Sequence, residues 1–183
     1  AQYNSVRPKS CDQTRYKTMT SSHAAPDYPP SIAQLIAQLN DPRNGAVQRS
    51  GELESFDFTT AVAPSLVVDD EMALACTSGL WLRHHFLDRS HEISQHLHSS
   101  TGSFWHGIMH RLEGDFGNAK YWFRKVGDHP IFPSLASAAH TISPERFQAT
   151  DVWDPYDFID CCEKAAKKNM PDSTLLDVAS AEW

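Results

Sequence analysis

The chain has 183 residues, enough for one domain with a buried core, and 40% of them are hydrophobic, including five Trp and nine Phe. Those proportions exclude a disordered chain. A formal net charge of −7 gives nucleic acid no basic footprint, and no apolar run nears the roughly 20 residues that span a bilayer.

Residues 1–30 are polar, end in Pro26, Pro29 and Pro30, and read as a flexible leader without the apolar stretch of a secretory signal. Met19 is a candidate start within it. Ser31 then caps a short amphipathic helix from Ile32 to Leu39. Residues 40–66, with Asp41-Pro42, Gly45, Gly51 and Pro64, read as an irregular wrap containing one short strand near Phe56–Val62. The body, 69–183, opens at Asp69-Asp70 with a long helix running to about His98, bent at Gly79. After the turn Ser99-Ser100-Thr101-Gly102 a second helix runs from Ser103 to Glu113. A third is capped by Asp115 and stopped by Gly127. An Ala-rich helix near Ser134–His140 follows. Asp154, Pro155 and Asp157 give the clearest helix start, for a segment ending near Lys168. Pro171-Asp172 opens the last helix through Leu175, Leu176 and Val178. The expectation is an all-α single domain, 31–183, of about six or seven helices.

Seven of the ten histidines fall between His84 and His110. At 100° per residue, Asp88, His91 and Gln95 lie within about 60° of one another on the stripe of His84. Leu80, Trp81 and Leu87 border that stripe, so it faces the protein. His85, Glu92 and His96 fall on the solvated side. On the second helix His106, His110 and Glu113 share a stripe beside Met109. A short turn makes the two helices antiparallel neighbours, and reflection about it pairs Gln95 with His106, His91 with His110 and Asp88 with Glu113. His and carboxylate groups at matched heights suit a divalent metal, Zn, Fe or Mn. The candidate ligands are His84, Asp88, His91, His106, His110 and Glu113. Reciprocal His–carboxylate hydrogen bonds would satisfy the same groups without a metal.

The stretch from Trp105 to Pro130, with His106, Met109, His110, Arg111, Glu113-Gly114-Asp115, Asn118-Ala119-Lys120-Tyr121-Trp122-Phe123-Arg124, Val126-Gly127 and His129-Pro130, resembles a family of small, uncharacterised microbial helical proteins with a WHxxMHRxEGDxxNAKYWFRxVGxHP segment. The likeness covers roughly 70–135 and part of 153–163, and takes in His84, Asp88, His91 and Gln95. His85 and Arg89 depart from the family, which has acidic residues there, on the solvated side. No activity is known for the family, so the resemblance implies site residues and no reaction.

Around the same pocket, Gln95, Arg111, Asn118 and Tyr121 are candidate substrate contacts, while His91, His110 and Glu113 are candidate catalytic groups. Arg111 in an exposed salt bridge, Asn118 in a cap and Tyr121 as a core aromatic are the plainer roles. Gly114 to Lys120 lacks the strand and lysine position of a nucleotide loop, so no nucleotide cofactor is expected. Cys11, Cys76 and the vicinal Cys161-Cys162 show no CxxC spacing and read as thiols of a reducing cytoplasm. The function expected is a small-molecule enzyme of hydrolase, lyase or isomerase type whose His/carboxylate cluster holds a divalent metal. Alternatives are a metal-free acid–base isomerase or cyclase using His91 and His110, and a non-enzymatic helical interaction module.

Overall fold

A computed structural model describes residues 29–37, 51–149, 152–170 and 172–183. The leader up to residue 28, the Leu39 end of the first helix, wrap residues 40–50, Cys11 and His23 lie outside the described residues. Among those described, every regular element is helical and none is a strand. In chain order they are α1 (Pro30–Ala37), a helical turn at 51–54, α2 (Phe58–Ala61), α3 (Asp70–Arg83), α4 (Leu87–Ser94), α5 (Ser100–Glu113), α6 (Phe116–Val126), α7 (Phe132–Ile142), α8 (Pro155–Lys167) and α9 (Ser173–Ser180).

Side-chain caps set most of these boundaries. The carboxylates of Asp69, Asp115, Asp154 and Asp172 each accept a backbone N–H from the first turn of α3, α6, α8 and α9. The strand expected near Phe56–Val62 is instead the single turn α2, because Asp57 takes hydrogen bonds from Thr59 N and Thr60 Oγ1 and closes that turn.

The long helix expected from Asp69 to His98 is two helices. His85 adopts φ 62°, the Phe86 N–H donates to Trp81 O at 3.0 Å, and the His85 N–H donates to Leu82 O at 2.9 Å. These are the two bonds of a Schellman stop, and the Phe86 ring meets Trp81 edge-on at 5.3 Å, the apolar contact that accompanies it. Gly79 is not the bend; its missing side chain admits Trp105, whose ring atoms lie 2.8 Å from where a Cβ would stand. The Ser99–Gly102 turn is also corrected. Ser99 Oγ accepts from Gly102 N, so Ser100 to Gly102 already form the first turn of α5.

Helices α3 to α6 alternate up and down. Glu71, near the start of α3, accepts the N–H groups of His98 and Ser99 at 2.8 and 2.7 Å and ties that end to the start of α5. Ser100 Oγ donates to Val126 O, bringing the end of α6 to the same place. Helices α5 and α6 approach closely because Gly107 faces Phe123; a Cβ there would stand 2.7 Å from the ring. The main core gathers Phe104, Ile108 and Met109 of α5, Phe123 of α6, Leu135 of α7, Phe158 and Ile159 of α8 and Val178 of α9. A smaller cluster of Leu35, Leu53, Leu80 and Trp81 fixes α1 to α3.

Arg111 points into the main core rather than toward solvent or a ligand. Its guanidinium donates to both carboxylate oxygens of Glu182, both side chains are at most 3% exposed, and it lies over the Phe158 ring at 4.8 Å. A bidentate pair of this kind satisfies two buried charges only while both are present. Glu182→Gln is therefore expected to cost about 3–5 kcal/mol in chemical denaturation. Arg111→Met combined with Glu182→Leu should recover most of that loss.

Candidate functional site

Three serines set the spacing of the helices that carry the histidines. Ser78 Oγ of α3 bonds the carbonyl and hydroxyl of Ser90 on α4 at 3.0 and 2.9 Å, and all three of Ser78, Ser90 and Ser94 are fully buried. Side chains this small let α4 lie close to both neighbours. On α4 the buried face carries Ser90 and Ser94 with His91 beside them, turned toward α5.

His91, His106 and His110 converge across that contact. The His91 ring centroid lies 4.8 Å from that of His106 and 5.7 Å from that of His110. His106 Nε2 and His110 Nε2 are 3.1 Å apart, and one nitrogen from each of the three rings falls within 4.8 Å of the others. Oxygen atoms lie near the opposite ring nitrogens. Ser94 Oγ stands 3.0 Å from His106 Nδ1, and Glu113 Oε2 stands 3.3 Å from His110 Nδ1. Trp122 of α6 closes one side by stacking on His106 at 3.9 Å, and Lys125 Nζ rests 4.0 Å from the Trp122 ring centre.

Burial decides the protonation of His106. His106 is 1% exposed, and loss of solvent, followed by the neighbouring His110 and His91, lowers its pKa to about 3. Burial also lowers the pKa of His110, against the opposing pull of Glu113 and Asp115. His106 is therefore a neutral imidazole at physiological pH, the form that binds metals or exchanges protons.

Glu113 joins this group through His110, whereas the remaining sequence candidates stand apart from it. His84 is buried at the end of α3, on the far side of the His85 break, so it does not share a stripe with His91. Asp88 and Gln95 are exposed, and the register is one residue off the expected pairing: Ser94 and not Gln95 faces His106. Glu113 reaches His110 rather than Asp88. Asn118 serves the α6 cap, donating from Nδ2 to Asp115 at 2.7 Å. Tyr121 is 46% exposed and is no core aromatic. Sequence reasoning missed Ser94 and the wall formed by Trp122. The i, i+4 spacing of Ser90 and Ser94 amid polar residues was the available signal for a close helix contact.

An all-α bundle with a three-histidine cluster between two neighbouring helices is thus the class that fold and site define. Comparison with protein-family models, with curated proteins and with solved structures finds no match. No helix among the described residues is long and apolar enough to cross a membrane.

A pH dependence follows from the depressed His106 pKa. An unfolded chain takes up the His106 proton near its ordinary 6.5, whereas the folded chain resists until about 3. The unfolded state binds more protons across that window, so the metal-free fold should lose stability as pH falls from 6.5 toward 3. Melting curves of His106→Gln, compared with the parent over that window, should lack this component of the slope.

Proposed function

We propose that this chain is a small metal-dependent enzyme in which His91, His106 and His110 hold one divalent transition metal, zinc foremost, with iron or manganese as alternatives, and that its substrate is a small organic molecule. The observation that carries the reading is the arrangement of ring nitrogens: Nε2 atoms of His106 and His110 meet at 3.1 Å, while Ser94 Oγ bonds His106 Nδ1 and the Glu113 carboxylate lies 3.3 Å from His110 Nδ1. Metal-ligating histidines are oriented in this way, one nitrogen on the ion and the other on a carboxylate or hydroxyl. Two imidazole nitrogens about 2.0–2.1 Å from a tetrahedral zinc stand roughly 3.4 Å apart. The 3.1 Å separation is close to that, and His91 completes the set by a small inward movement.

Three protein nitrogens leave a fourth tetrahedral position for water or substrate, the pattern of catalytic rather than closed structural zinc sites. When bound, the cation supplies Lewis acidity and an activated water, which supports hydrolase or lyase chemistry. Glu113 keeps the His110 ring in place, and its partial exposure lets it exchange a proton with solvent. His91, the least buried of the three rings, marks the side from which a substrate approaches.

One feature favours a second reading, a metal-free acid–base site. The 3.1 Å contact between His106 and His110 is itself a hydrogen bond that satisfies one nitrogen of each ring. The two readings part on metal content. Protein purified without a nickel column should carry about one equivalent of metal per chain, and a chelator should lower its melting temperature by removing a ligand specific to the folded state. His110→Ala should abolish that metal while keeping helical content. Glu113→Gln should weaken affinity about 10–100-fold. Azide should bind the loaded protein at the open position. Absence of metal, with no response to chelator, overturns the metal reading and leaves the acid–base one.

A further inference from the structure

A second site lies away from the histidines, independent of the metal reading. A cavity of about 410 Å³ opens between the segment after α7, the outer face of α8 and the start of α9. Arg146, Lys164 and Lys168 line it together with Cys161, Asp172 and Ser173. Three cations against one carboxylate is an unusual concentration of positive charge for a chain whose formal net charge is −7. Asp172 offsets one of these charges, accepting from Arg146 Nη1 at 2.7 Å while it caps α9 through Leu175 N at 3.2 Å, so Lys164 and Lys168 carry the excess. The pair fixes the guanidinium at the cavity edge.

We propose that this cavity binds a small organic phosphate. A fixed guanidinium and two mobile ammonium groups are the side chains that recognise phosphoryl oxygens. The volume falls within the range of small-molecule clefts and exceeds what a bare phosphate fills, leaving room for the organic part. Lys164 in the last turn of α8 and Lys168 at its C-cap are four residues apart, a spacing that lets both ammonium groups approach one phosphoryl group from the same side.

Cys161 lines the cavity and reports its occupancy. Alkylation of Cys161 by neutral iodoacetamide, followed by peptide mass spectrometry, gives its rate separately from those of Cys162 and Cys76. With inorganic phosphate at ten times the Kd found by calorimetry, Cys161 should react about tenfold more slowly, as the free fraction falls in proportion. The Cys76 rate should not change. Lys164→Gln with Lys168→Gln leaves the Arg146–Asp172 pair intact, and in that variant the protection should disappear. Saturable protection by phosphate that is lost in the double variant supports the site. Equal protection by chloride at matched ionic strength, protection that survives the double variant, or no saturable protection overturns it.

Discussion

The desolvation of His106 is the constraint on which the site depends. An imidazole with 1% of its surface exposed has no water to satisfy its two nitrogens, so the fold must supply two polar partners. It does so with Ser94 from α4 and His110 one turn further along α5. His110 in turn brings Glu113, and burial keeps His106 itself neutral beside them. The stacked Trp122 maintains the dryness that enforces all of this.

The arrangement works only because α4 and α5 lie close together. Buried serines, with Gly107 against Phe123 on the other face of α5, bring three helices near enough for side chains of modest length to meet. Arg111, one turn beyond Gly107, anchors the same helix through Glu182. Helix α5 is thus fixed by a polar network, a buried ion pair and an apolar core, which limits its rotation and keeps His106 and His110 aimed at His91. Ion pairs at the surface, such as Lys167 with Glu163, contribute far less to this order.

Most of the helical plan was legible because helix starts have strong local chemistry. Asp115, Asp154 and Asp172 cap where the sequence places them, and Gly114 and Gly127 end α5 and α6 with positive φ. The break after α3 was not legible, since a histidine occupies the left-handed position that glycine usually marks. Missing it carried His84 into a helical stripe it does not share. Residues His91, His106 and His110 were brought together correctly by treating the two helices as antiparallel, yet the one-residue difference in register hid Ser94 behind Gln95. Arg111 shows the remaining limit: its partner lies 71 residues away, and no local pattern announces a contact of that separation.

Cobalt(II) titration of the metal-free protein, followed in the visible region, tests the proposed metal site most directly. If His91, His106 and His110 hold one ion, the titration saturates at a single equivalent with the intense bands of a four-coordinate site, and these are lost in His91→Ala. A spectrum that stays weak and six-coordinate, as for the aqueous ion, would contradict it.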